Sequence, residues 1–326
     1  MVLVTGGAGF IGYHLVQRLL ADGHSVVSVD NLDDYYDPEL KRERLRQIED
    51  AGGWDLRYQF VQMDIADHEA LSGLFDRAKP SVVVNLAAQA GARHSIKDPF
   101  SYAHSNLTGF LSVLEACRHH PVKHLVYASS SSVYGTEAAV PYSTRERADQ
   151  PVSLYAATKR ANELMAYTYA KLYGVCATGL RFFTVYGPWG RPDMAYFKFA
   201  DRMLAGEPIQ VFNEGKLSRD FTYVDDVIEG VVRVMGHVPD ATGAPHALYN
   251  IGRGEPVNLL VFIEMLEEAL GVKANKEMVP MQPGDVYTTF ADTLDLQLAV
   301  QYQPEVSLRE GIRRFAEWYL EYRDAR

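Results

Sequence analysis

Cysteine is almost absent: Cys117 and Cys176 are the only two in 326 residues. Both stand in apolar runs, one helix-like and one strand-like. They give no disulfide framework, read as buried free thiols, and suit a reducing compartment, so a cytoplasmic location is expected. No apolar run is long enough to span a bilayer, and no membrane partner is expected. Met1 leads straight into a strand-like run, so no signal peptide is expected. Internal repeats and low-complexity tracts are missing, which sets aside solenoids and disordered arrays. Positive charge is in short supply, with 32 Lys and Arg against 42 Asp and Glu and a formal net charge of −10. Such a chain is not built for nucleic acid. It also means that an anionic small molecule would need a local basic pocket. No metal site is expected.

What is present describes a globular protein of one large or two modest domains, at 47% hydrophobic and 23% charged residues. A chain of this length buries a large core without staples. Strand-like runs fall at Leu3–Thr5, Ser25–Asp30, Tyr58–Met63, Ser81–Ala87, His124–Ser129 and Cys176–Phe182. Helical patterns lie between them, as at Ile11–Asp22, Glu69–Ala78 and Leu107–His119. This alternation predicts an α/β fold with a doubly wound parallel sheet of Rossmann-like type. A charged, tyrosine-rich insertion, Leu32–Gly53, carries one surface helix with Pro38 near its start. A less regular half follows, with helices expected at Ala195–Ala205, Asn258–Leu270 and Leu308–Tyr322, and short strands at Gln210–Phe212 and Asp220–Tyr223.

The first strand runs into Gly6-Gly7-Ala8-Gly9-Phe10-Ile11-Gly12 and then a helical pattern. Glycines let a backbone approach a pyrophosphate, and the free N–H groups of the first helical turn receive it. The spacing is G-x-x-G-x-x-G rather than the fuller dinucleotide fingerprint. The second strand ends in Asp30, at the distance expected of a ribose-binding carboxylate, with Asp33 and Asp34 close behind. Negative charge there repels a 2′-phosphate and favours NAD over NADP.

A second pattern is Tyr155-Ala-Ala-Thr-Lys159. On a helix, residues four apart share a face. A phenol with a reference pKa of about 10 is a poor base at neutral pH, and an ammonium beside it favours the phenolate. The pair alone also fits an ordinary half-buried helix start.

Together these residues resemble the extended short-chain dehydrogenases/reductases, in the branch that modifies nucleotide sugars. The likeness covers nearly the whole chain and is greatest to the UDP-glucuronate 4-epimerases. It implies NAD as cofactor and a UDP-sugar as substrate. It also implies a homodimer through the helices Leu107–His119 and Tyr155–Tyr173. The expected division is residues 1–183 for the dinucleotide, with about 220–251 woven back in, and residues 184–219 and 252–326 for the sugar nucleotide. Catalysis falls to Ser130, Tyr155 and Lys159, with Ser132 at the next inward-facing position. The cofactor is expected against Gly6, Gly9, Phe10, Ile11 and Gly12, and its ribose against Asp30 and Asn31. Asp64 and Ile65 belong by the adenine, and Leu86, Ala87 and Ala88 along the nicotinamide ribose. Asn106 is expected to open a helix, in a structural or cofactor-contacting role. For the sugar nucleotide the resemblance implies Gln89, Arg93, Val211, Phe212 and Asp285, with Arg219 on the diphosphate.

A few positions separate the family's reactions. Dehydratases carry Asp-Glu where Ser131-Ser132 stand here, and UDP-glucuronate decarboxylases also place a Glu in that loop. With no carboxylate to take a C5 proton, bare oxidation and reduction at C4 remains, and such a cycle is an epimerisation. Galactose epimerases have Asn where Thr184 stands, lack the Gly-Pro-Trp-Gly-Arg191-Pro run, and usually carry Arg where Gln282 stands. A C6 carboxylate wants a hydroxyl and a guanidinium, which Thr184 and Arg191 supply; the alternative is that Arg191 pairs with a local acid such as Asp193. Two alternatives are an epimerase of neutral UDP-hexoses, and a non-catalytic NAD-binding regulator on the same fold.

Overall fold

The computed structural model describes residues 1–51, 56–136, 138–240, 243–282 and 285–324. Its strands in chain order are β1 (Val2–Thr5), β2 (Val26–Asp30), β3 (Tyr58–Gln62), β4 (Val82–Asn85), β5 (His124–Ser130), β6 (Ala177–Phe182), β7 (Thr184–Tyr186), β8 (Ile209–Phe212), β9 (Ser218–Tyr223), β10 (His246–Ile251), β11 (Pro256–Asn258) and β12 (Lys276–Val279). Seven of them form one parallel sheet in the order β10-β6-β5-β4-β1-β2-β3. Every residue of β1, β2 and β6 is buried. Continuous rather than alternating burial is the mark of strands covered on both faces. The chain starts at β1, adds β2 and β3 on one side, then crosses to β4 on the other. That reversal opens a crevice at the carboxyl ends of β1 and β4, where Thr5 stands beside Asn85.

The expected strands and helices agree with the structure to within a few residues at their ends. The strand β10 and the helix Val224–Gly236 were not among them. β10 is an edge strand whose partner, β6, lies far back in the chain. The smaller half holds a three-stranded sheet in the order β11-β9-β7 and the parallel pair β12-β8. An aromatic and aliphatic core joins both halves, from Val4 and Leu15 to Phe221, Phe262 and Phe315.

The insertion does form a helix, Pro38–Asp50, with Asp37 accepting from the Glu39 N–H at 2.9 Å and Pro38 in the first turn. The end of the expected span, Gly52 and Gly53, lies outside the described residues. One face of this helix is buried, and it includes Lys41 and Arg44 beside Leu40, Leu45 and Ile48. The expectation for Asn106 is corrected: it does not open a helix. It sits within a π-helical stretch, Ala103–Gly109, that leads into the α-helix Phe110–His119. A widened turn is invisible to a 3.6-residue pattern. Cys117 is buried as expected, whereas Cys176 is partly exposed, because it stands just ahead of β6 and outside the sheet's cover.

Candidate active site

A cavity of about 900 Å³ lies along the carboxyl ends of the main sheet and reaches into the smaller half. Its floor is the glycine turn. Gly6 has φ +72°, and a Cβ there would come within 2.7 Å of the Ala87 N. A Cβ on Gly12 would collide with the Gly6 carbonyl. The helix Phe10–Ala21 begins at Gly9 with no side chain capping its N–H groups. Backbone donors are thus left for an anion, as a pyrophosphate site requires.

Asp30 ends β2 inside the cavity and accepts from the Leu32 N–H at 2.9 Å and the Ala8 N–H at 3.2 Å. Asn31, Asp64, Ile65, Leu86, Ala87 and Ala88 line the same channel. These features fit a dinucleotide: a cradle without Cβ atoms, a free helix start, and an acid one strand away.

Asn106 differs from its neighbours in not reaching the cavity. Its amide accepts from the Gln89 N–H at 2.8 Å, and donates to the Gln89 carbonyl and the Thr158 hydroxyl at 3.0 Å each. Its own carbonyl accepts from Asn162 at 2.7 Å. With its amide spent on protein, Asn106 pins the β4 loop to the helix that carries Tyr155, and leaves Gln89 on the cavity wall.

That helix, Leu154–Tyr173, starts where the Ser153 hydroxyl accepts from the Ala156 N–H at 3.1 Å, and stops at Gly174 with φ +70°. Tyr155 and Lys159 lie on one stripe, facing the end of β5. Burial raises the Tyr155 phenol, opposed by a hydrogen bond with Ser130 and by the charge of Arg191. Burial brings Lys159 down to about 8, and its Nζ donates to the Ala128 carbonyl at 3.0 Å. The charge facing the phenol here is therefore that of Arg191, while Lys159 is turned to the strand. Ser130 is buried in extended conformation and accepts from the Ser132 N–H at 3.1 Å. Both serines line the cavity.

At the far wall, Thr184, Arg191, Phe212, Arg219 and Asp285 all line the cavity, and Arg93 joins them. Val211 does not: β8 alternates, so Ile209 and Val211 are fully buried while Gln210 and Phe212 face the cavity. Gln210, not Val211, is the β8 residue beside Phe212 on the cavity wall. Asp285 lies between two arginines, 2.9 Å from Arg93 and 3.5 Å from Arg219. Arg93 also covers the Phe212 ring at 5.0 Å. Gln282 lines the cavity, and Pro283 and Gly284 between it and Asp285 lie outside the described residues.

Arg191 makes a bidentate pair with Asp193, Nε to Oδ1 at 3.0 Å and Nη2 to Oδ2 at 2.5 Å. Burial works against both charges, but each partner outweighs it, so Arg191 is held above and Asp193 below its usual range. Tyr35, from the insertion, donates to the same Asp193 at 3.1 Å. Tyr35, Lys41 and Arg44 were not foreseen. The available signal was the insertion's helical pattern, which sets Lys41 and Arg44 on its apolar stripe.

Residues 2–252 match the family described as "NAD dependent epimerase/dehydratase family". A Rhizobium meliloti (strain 1021) protein named "Probable UDP-glucuronate 4-epimerase" is 45% identical over 97% of this chain and 96% of its own length. The solved UDP-glucuronic acid 4-epimerase of Bacillus cereus, in complex with UDP-glucuronic acid and NAD, superposes with a TM-score of 0.90 at 34% identity, over 98% of this chain and 99% of that one. A UDP-glucose 4-epimerase of Thermotoga maritima, with UDP-glucose, reaches a TM-score of 0.88 at 30% identity over the same shares.

Proposed function

The chain belongs to the NAD dependent epimerase/dehydratase family, and from that premise we propose that it interconverts UDP-glucuronate and UDP-galacturonate by epimerisation at C4, through a 4-keto intermediate. One observation carries this reading. A phenol, a hydroxyl and a lysine stand at one end of a glycine cradle, and Arg191 closes the same cavity.

The residues divide the work by position. Tyr155 takes the C4 hydroxyl proton and later returns it. Ser130 holds the same oxygen as hydroxyl and as ketone, and Ser132 extends the hydrogen-bonding edge beside it. Arg191 and Ser130 oppose the burial that raises the phenol. Lys159, brought down to about 8 by burial, would hold a ribose hydroxyl. NAD, when bound, would supply the acceptor for the C4 hydride and the donor that reduces the ketone again. Gly6, Gly9, Gly12, Phe10 and Ile11 would hold its pyrophosphate, and Asp30 its adenosine ribose. Arg219 and Arg93 would take the UDP diphosphate, with Asp285 releasing part of its hold on them. Thr184 and Arg191 would receive the C6 carboxylate. On this reading residues 1–183, with 220–251 woven back, hold the dinucleotide, and 184–219 with 252–326 hold the sugar nucleotide.

Exposed apolar residues on the helices Phe110–His119 and Leu154–Tyr173, among them Leu164 at 54% and Leu172 at 65%, support a homodimer through those helices. Among the described residues no helix is long and apolar enough to cross a membrane. A cytoplasmic site of action is part of the same proposal.

Proton NMR of UDP-glucuronate incubated with the protein tests the reading: UDP-galacturonate should accumulate to a constant ratio. Turnover of UDP-glucose alone would support the neutral-sugar alternative, for which the neutralised Arg191–Asp193 pair speaks. Bound NAD without any turnover would support the regulator.

A further inference from the structure

The helix of the insertion carries an arginine that the proposed reaction does not use. Arg44 is fully buried, and all five of its N–H groups are engaged. Nε and Nη2 both donate to the Trp189 carbonyl, at 3.0 and 2.7 Å. Nη2 also donates to the Gly190 carbonyl at 3.0 Å. Nη1 donates to the Ala8 carbonyl at 2.9 Å and the Tyr36 hydroxyl at 2.8 Å. One guanidinium therefore joins the glycine turn of the cofactor cradle to the two residues that immediately precede Arg191.

A third carbonyl of that loop is held from the same side. His14, on the helix that opens at the glycine turn, lies with Nε2 2.9 Å from the Pro188 carbonyl. Burial brings the ring down to about 4, so it is neutral near pH 7 and donates through Nε2. The held loop has a conformation it would not keep unaided. Trp189 has φ +58°, a left-handed value that a bulky side chain rarely adopts, and a Cβ on Gly190 would collide with the Tyr196 hydroxyl. Tyr35, from the start of the insertion, holds Asp193 on the other side of Arg191.

We infer that Arg44 is a positioning residue for acid recognition: by clamping the carbonyls of Trp189 and Gly190 against the cofactor turn, it places the Arg191 guanidinium where a C6 carboxylate must sit. The inference rests on the reading of Arg191 given above. Lysine has three donors on a single nitrogen and cannot serve four acceptors spread over three segments, so charge alone does not replace this side chain.

The test measures Kd for UDP-glucuronate and for UDP-glucose by calorimetry, with melting temperature and bound NAD, in wild type, Arg44→Lys and His14→Phe. Arg44→Lys should stay folded, keep its NAD, and bind UDP-glucose within a few-fold of wild type. It should lose UDP-glucuronate affinity by about tenfold or more, the scale of one misplaced charged contact. His14→Phe removes one anchor only and should shift the same ratio in the same direction by less. It decides the matter if Arg44→Lys does not fold. Equal losses for both sugars, or an unchanged ratio in the folded variant, would overturn the role. A wild type with no preference for UDP-glucuronate would instead refute the substrate reading, whatever the variants do.

Discussion

Glu163→Gln is the change whose cost follows most directly from the structure. Glu163 lies on the same helix, two turns beyond Tyr155 and one beyond Lys159, with 1% of its side chain exposed. Arg181 of β6, equally buried, meets it through Nε and Nη2 at 2.8 Å each. Ser129, the residue before Ser130, donates to it at 2.6 Å, and Arg160 at 2.9 Å. Burial alone would raise the Glu163 carboxyl, but Arg181, Ser129 and Arg160 outweigh it and hold the group below its usual range. The amide variant keeps the shape, removes the charge, and turns one N–H toward the guanidinium. Breaking a buried pair from one side typically costs about 3–5 kcal/mol. That is a large part of the roughly 5–15 kcal/mol that holds a domain. At about 2 °C per kcal/mol for a chain of this size, the melting point at pH 7 should fall by roughly 6–10 °C.

The pH dependence gives a second check. A carboxyl held low when folded contributes stability that is fully present above its unfolded pKa of about 4.3, and is lost as pH falls through the folded value. The gap between wild type and variant, followed by calorimetry, should therefore close on acidification below about pH 4. A variant melting within a degree or two of wild type at pH 7, or a gap that persists in acid, would refute the assignment of this pair as a stabilising clamp. Because Ser129 and the helix carry the neighbours of Ser130 and Tyr155, turnover should fall with NAD still bound.

Three further outcomes are expected. Tyr155→Phe should lower kcat by about 10²–10⁴-fold while UDP and NAD binding, measured by calorimetry, stay near wild type; near-normal turnover would remove Tyr155 as the base. Lys159→Met should lose turnover yet melt no lower than wild type at pH 7. Between about 8, where burial places the folded lysine, and roughly 10.4, the unfolded chain holds a proton the folded one lacks, so the wild type gains on the variant as pH rises through that window. Arg191→Ala should lose about 2–5 kcal/mol of UDP-glucuronate affinity, and far less with UDP-glucose. It should also leak UDP-4-keto-pentose by mass spectrometry, since a β-keto acid decarboxylates when its carboxylate is free to stand perpendicular to the ketone. Lost affinity without that product would keep recognition and refute restraint; Asp193→Asn is the control for the acid left unpaired.

The local features of this protein were legible one residue at a time. Glycines at 6, 9 and 12 between a strand and a helix, an acid at the end of β2, and Tyr155 four residues before Lys159 are short-range patterns governed by backbone sterics and helix periodicity. So are the six strands that run β1 to β6, whose apolar runs need no knowledge of their partners. Three outcomes needed the folded chain. Val211 faces the core because β8 pairs with β12, and that pairing sets which alternate residues see the cavity. Asn106 became a pin because a π-helical turn swings its amide onto Gln89 and Thr158. Arg44 and Arg191, 147 positions apart, were brought to one loop, and only there does a surface-looking charge spend all five donors on carbonyls and a phenol. Side-chain partners separated by that much chain are chosen by packing, since burial leaves a charged or polar group no choice but to find whatever acceptors the assembled core presents.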